Sequence, residues 1–220
     1  MLVREASCSP VITSTHPIPG EPHISFLGGI APILNVHGTS LESLKICIFP
    51  YHVDLASLIE LCPNLRNLHL YCRFMATSQD AAPSNPKRAK TIFVLEKLEK
   101  IEIEYAQTEH LIFLLALAPA VAHLVIALIG CGDRLTDEVL QNVFEYHSFP
   151  CLKVLKITTE SYVTKKGIDL FMNEGNALEK IEILECKSVT KENVEEWREI
   201  AKNKNWNVSI ALLNLLGLPC

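Results

Sequence analysis

The chain has 220 residues, 49% hydrophobic and 20% charged, with a formal net charge of −5 and a pI near 5.9. Its lysines and arginines are spread along the length, so the sequence offers no basic face for a nucleic acid. Eight cysteines (Cys8, Cys47, Cys62, Cys72, Cys131, Cys151, Cys186 and Cys220) form no Cys-x-x-Cys pair, and there is no secretory h-region; the expectation is a reducing cytoplasmic or nuclear compartment without disulfides or zinc.

Residues 1–22 hold Pro10, Pro17, Pro19, Gly20 and Pro22 among serines and threonines, which predicts an irregular leader. One domain, 23–220, is expected to follow. Ile24 to Val36 reads as the helix of a first, incomplete unit, stopped by Gly38. Then a phrase begins: an apolar residue, two variable ones, an apolar residue, one variable, and Leu or Ile, here Leu41, Leu44 and Ile46. Leu55, Leu58, Ile59 and Cys62 recur at helical spacing, and Pro63 ends that helix before the next phrase, Leu65, Leu68 and Leu70. Residues 73–93, rich in Ala, Ser and Pro, read as an insertion loop, and the Lys87-Arg88-Ala89-Lys90 cluster within it as solvated charge rather than an import signal.

The third phrase is Leu98, Ile101 and Ile103, followed by a helix with Leu111, Leu114, Leu115 and Ala118. Leu111 to Gly130 carries no Asp, Glu, Lys or Arg and resembles a membrane span by hydropathy. Pro119 and the phrase Val121, Leu124 and Ile126 instead divide it into a buried helix, a turn and a buried strand, so no membrane association is expected. Thr136-Asp137-Glu138 opens a helix with Val139, Leu140, Val143 and Phe144. Pro150 precedes Leu152, Leu155 and Ile157; Thr164 opens a helix with Ile168, Phe171 and Met172; Gly175 precedes Leu178, Ile181 and Ile183. Thr190 opens a last helix with Val194, Trp197, Arg198 and Ala201, and the apolar run Leu212 to Leu218 is expected to cap the open end of the core.

The first members of the six phrases are 24, 33, 23, 31 and 26 residues apart, centred on the roughly 20–29-residue period of leucine-rich repeats. Each phrase ends in the alternation of a short strand, and one strand with one helix closes no core alone. The predicted fold is therefore α/β: a leucine-rich-repeat solenoid, a right-handed βα horseshoe with a parallel sheet on the concave face and helices on the convex face.

Cys62-Pro63-Asn64-Leu65-Arg66-Asn67-Leu68-His69-Leu70 resembles the "C-P-N-L-x-x-L-x-L" phrase of F-box leucine-rich-repeat proteins. Leu178-Glu179-Lys180-Ile181-Glu182-Ile183-Leu184-Glu185-Cys186 with Val189-Thr190 is similar to the cysteine-containing repeat of that family, related to ribonuclease-inhibitor-like repeats. Leu135-Thr136-Asp137-Glu138 and Val163-Thr164 resemble its hydrophobic-Thr helix start. The resemblance implies substrate-recognition repeats of a cullin-RING ubiquitin ligase receptor. No F-box is read before residue 24, so the ligase adaptor is expected as a partner only with an F-box encoded upstream. The alternative is a free-standing leucine-rich-repeat scaffold or inhibitor with no ubiquitin link.

A protein partner is expected on the concave face, where the variable strand positions point. The expected contacts are Lys45, Asn67, His69, Tyr71, Glu102, Glu104, His123, Lys156, Thr158 and Glu182, with Tyr71, His69 and His123 foremost. Pairing Cys47 or Cys72 with His69, or Glu102 with Glu104, would need a pocket that the sequence does not indicate. No catalytic, cofactor-binding or metal-binding residue is therefore expected.

Overall fold

The computed structural model describes residues 11–13, 29–48, 54–72, 94–104, 108–127, 135–146, 148–158, 162–172 and 177–213. The expected insertion at 73–93, Gly175 and most of the run from Leu212 to Leu218 lie outside them. Eight strands are described: β1 (Val11–Thr13), β2 (Ser43–Ile48), β3 (Asn67–Cys72), β4 (Lys100–Glu104), β5 (His123–Ala127), β6 (Val154–Thr158), β7 (Lys180–Leu184) and β8 (Ser209–Leu213). They form one sheet whose spatial order is their chain order, every neighbouring pair parallel. Between them lie α1 (Ala31–His37), α2 (Leu55–Leu61), α3 (Thr108–Leu117), α4 (Asp137–Tyr146), α5 (Lys165–Asp169) and α6 (Lys191–Asn203). The fold is α/β with an all-parallel sheet.

The second and third members of all six phrases fall on strands, and the reason is burial on one face. The second and third members, from Leu44 and Ile46 to Ile181 and Ile183, are no more than 1% exposed. Each such side chain contributes about 1.5–3 kcal/mol by leaving water. They join one apolar cluster with Leu34, Leu58, Leu114, Leu140, Ile168 and Trp197 of the helices. The helices therefore cover one face of the sheet and leave the other to the variable residues.

Backbone bonds repeat from unit to unit and fix the stagger. Arg66 and Asn67 both donate to the Glu42 carbonyl, Glu99 and Lys100 to Arg66, Ala122 and His123 to Glu99, Lys153 and Val154 to Ala122, and Glu179 and Lys180 to Lys153, at 2.7–3.0 Å. Just before each of the first five strands of the phrase series, a tight turn closes from the first phrase member back to the carbonyl three residues earlier. The pairs are Leu41–Gly38, Leu65–Cys62, Leu98–Leu95, Val121–Ala118 and Leu152–Phe149, at 3.1–3.4 Å. Each turn puts one more residue into the core, and Cys62, Leu95, Ala118 and Phe149 are buried there. Phe149 holds φ 50°, costly for a non-glycine residue. Its ring packs against Phe144 and Phe171, with centroids 5.0 and 5.6 Å away.

Several expectations are refined. The leader at 1–22 contains β1, which pairs in parallel with Lys45, Ile46 and Cys47 of β2; the free edge of β2 satisfies the backbone of a β-branched Val-Ile-Thr run. Gly38 does stop α1, as its C-cap, but with φ −59° rather than a left-handed backbone, and a short 3-10 turn, Gly38–Ser40, follows. Glycine is needed there because a Cβ would lie 2.3 Å from the Leu61 carbonyl oxygen. The chain near Leu212 extends the sheet as β8, pairing with β7. That unit escapes the phrase pattern because Asn207 stands where an apolar first member is expected. Arg198 does not belong to the apolar stripe of α6: it is exposed, and its Nη2 donates to the Ile210 carbonyl at 2.7 Å.

Thr164 and Thr190 cap α5 and α6, and the Thr136 hydroxyl accepts from Val139 N at 3.3 Å. Asp54, not singled out in the sequence, caps α2. Asp137 binds the following unit: its carboxylate accepts from Thr164 N at 2.8 Å, Thr164 Oγ1 at 2.6 Å and Gly167 N at 3.1 Å. Leu111 to Ala127 form α3, a turn and β5, and no helix among the described residues is long and apolar enough to cross a membrane.

Candidate functional site

Because the six phrase strands share one stagger, their variable residues line up in three rows across the sheet. The first row is Ser43, Asn67, Lys100, His123, Val154 and Lys180, and the second is Lys45, His69, Glu102, Val125, Lys156 and Glu182. The third holds Cys47, Tyr71, Glu104 and Ala127, and then Thr158 with Leu184. All ten expected contact residues lie in these rows, but the structure does not gather them into one patch. Nine of them fall into two charged groups separated by β5, on which His123 stands.

The first group spans β2 to β4. His69 Nδ1 donates to Glu102 Oε2 at 2.8 Å, and Lys100 Nζ reaches Glu102 Oε1 at 2.7 Å, so both carboxylate oxygens are engaged. Burial pushes the Glu102 carboxyl up, but the hydrogen bond and charge of Lys100, with the charges of His69 and Lys45, outweigh it and hold the group below its ordinary value. His69 Nε2 is buried without a hydrogen bond, 3.4 Å from Glu104 Oε1. Tyr71 stands opposite Cys47 on one side and Glu104 on the other. Burial raises the pKa of the Cys47 thiol; Lys45 opposes the shift and Glu104 adds to it. Such a thiol stays protonated, the reverse of an activated nucleophile.

The second group spans β6 and β7. Lys180 Nζ lies 2.6 Å from Glu182 Oε1, and Lys156 Nζ lies 4.0 Å from Glu182 Oε2. Thr158 Oγ1 donates to the Ile126 carbonyl at 3.4 Å, across to β5. His123 belongs to neither group; it is exposed at the start of β5, between Lys100 and Val154 in its row. Val125 is half-buried and Ala127 buried, so beyond His123 the strand that divides the groups is apolar.

A hollow of about 370 Å³ opens over the first group, lined by Ser43, Lys45, Asn67, His69, Lys100 and Glu102, with the strand at Leu44 and Leu68 beneath. Among the described residues no group of three or more His, Cys, Asp or Glu is placed to hold a metal ion. The set chosen from sequence missed Lys100 and Lys180, each of which orients a central glutamate. A signal for both was present: Leu-Glu-Lys-Ile-Glu-Ile occurs at 98–103 and again at 178–183.

No protein-family model matches the chain, and none of the curated proteins compared with it is similar.

Proposed function

We propose that the chain is a leucine-rich-repeat solenoid that binds another protein on its exposed sheet face and performs no chemistry itself. The observation that carries this reading is the shared stagger of β2 to β7, which aligns the variable side chains in rows, two of them continuous from β2 to β7, on the face opposite the helices. A surface of that kind presents many side chains at fixed spacing, which suits a broad protein contact better than the enclosed site that most reactions require. The 23–33-residue steps of the phrases and the buried turn before each of the first five phrase strands accord with repeat units that share one core.

The narrower proposal is that these repeats recognise the substrate of an F-box type cullin-RING ubiquitin ligase. It rests on the Cys62-Pro63-Asn64-Leu65 phrase and on the cysteine-containing unit ending at Cys186. Their cysteines are buried in the core, which accounts for a small apolar side chain at those places. Affinity purification of the chain from its own cells, with and without proteasome inhibition, tests both levels. A ligase adaptor recovered together with a protein that accumulates under inhibition supports the receptor. A stable partner without ligase subunits moves the assignment to a scaffold or inhibitor, and no protein partner at all overturns protein binding.

A further inference from the structure

We infer that the hollow over β2, β3 and β4 receives a carboxylate side chain, Asp or Glu, of the protein partner. The inference rests on the proposed protein-binding role of this face and adds the chemistry of one contact. Hydrogen-bond and charge accounting lead to it. Glu102, the acidic group in the lining, has both oxygens occupied, by Lys100 at 2.7 Å and His69 at 2.8 Å. The remaining charged capacity is a donor, the Lys45 ammonium, which forms no ion pair among the described residues; the Asn67 amide and the Ser43 hydroxyl beside it can also donate. Two lysines against one carboxylate leave the lining one positive charge in excess. An incoming carboxylate cancels that charge and accepts from Lys45 with Asn67 or Ser43 beside it. An incoming cation would meet Lys45 and Lys100 and find no free acceptor on Glu102.

The surroundings set where the acid enters. Glu104 lies at the other end of β4, 3.4 Å from the far nitrogen of His69, and is not part of the lining. It repels a second acid there, so the carboxylate approaches over β2. The volume, about 370 Å³, stands at the small end of the roughly 300–1,000 Å³ range of ligand clefts, enough for one side chain with its flanking backbone.

The test is to pan a random heptapeptide library on the full chain and on Lys45→Met, which keeps the aliphatic stem and removes the charge. The expected result is a several-fold enrichment of Asp or Glu at one peptide position on the native chain, lost on Lys45→Met and retained on Lys45→Arg. Fluorescence anisotropy of one selected peptide then completes a double-mutant cycle. Its Glu→Gln version is expected to bind about 10-fold more weakly to the native chain and no more weakly than its parent to Lys45→Met. Thermal melting of each variant establishes that the fold is kept. Peptides without acidic enrichment, or an equal loss on both chains, overturn the inference. A cellular partner that Lys45→Met retains at native affinity overturns this contact while leaving protein binding standing.

Discussion

On β4 and on β7 the same hexapeptide places a lysine two residues before a glutamate on the exposed face, and the two lysine–glutamate distances, 2.7 and 2.6 Å, are nearly the same. The surroundings differ. Ahead of Glu102 stands His69, whose ring nitrogen closes on the free oxygen at 2.8 Å; ahead of Glu182 stands Lys156, at 4.0 Å. Two residues further along, β4 carries Glu104 and β7 carries Leu184. The first group consequently has a glutamate saturated by two donors, a second acid at one end and a hollow beside it. Local sequence thus determines the pair within a strand, because residues i and i+2 share a face. The neighbouring strand decides what that pair can bind.

The largest way to break this contrast is at β5, between the groups. Leu124 is fully buried, and Leu124→Asp places an unpaired charge in the common core, at an expected cost of about 3–5 kcal/mol. Guanidinium unfolding followed by thiol labelling shows how far the damage reaches. Cys62 beside β3 and Cys186 beside β7 are both buried, and release of only one of them would mean that the two regions fold separately. On the binding side, Tyr71→Ala is expected to weaken partner affinity by about 1–3 kcal/mol with melting nearly unchanged, as calorimetry of the complex and of the free chain would show.

Smaller changes sharpen the comparison. Glu102→Gln, which loses two close charged partners, is expected to destabilise by roughly 0.5–1 kcal/mol, and Glu182→Gln by no more than about 0.5, since both sites are partly solvated. Denaturant midpoints compare them directly, and equal losses would remove the distinction. The acid limb of stability gives a signed test. The Glu102 carboxyl is held below its ordinary value in the folded chain, so the unfolded chain binds its proton first as pH falls. Its contribution is complete above about pH 5 and disappears as pH drops through the usual carboxylate value of about 4.3 toward the lower folded one. Glu102→Gln should flatten that limb. The smallest effect concerns native thiol reactivity: exposed Cys151 should label before buried Cys62 and Cys186, and burial pushes the Cys62 thiol up to about 11 and keeps it unreactive at neutral pH.

Much of the sheet was legible because its core positions repeat. Six phrases named twelve inward residues, and each is buried; the variable residues between them occupy the three exposed rows. The ends were less legible for a physical reason. An edge strand is stabilised largely by backbone bonds to one neighbour, so β1 needs little side-chain pattern, and β8 tolerates Asn207 in place of an apolar residue. Phe149 in the left-handed region was equally hidden, since its contacts with Phe144 and Phe171 exist only in the folded core.

For the site, the sequence by itself determined which residues share the exposed face, because alternation along a strand is a local property. It also carried the two lysine–glutamate pairs as a repeated hexapeptide. Only the tertiary structure decided which strands stand side by side and at what stagger, and with that the meeting of His69 with Glu102, the separation of the two charged groups by β5, and the hollow beside Lys45. Those contacts join residues from different strands. The packing of each unit's apolar turn and helix against the next sets their distance, and no periodicity within one unit encodes it.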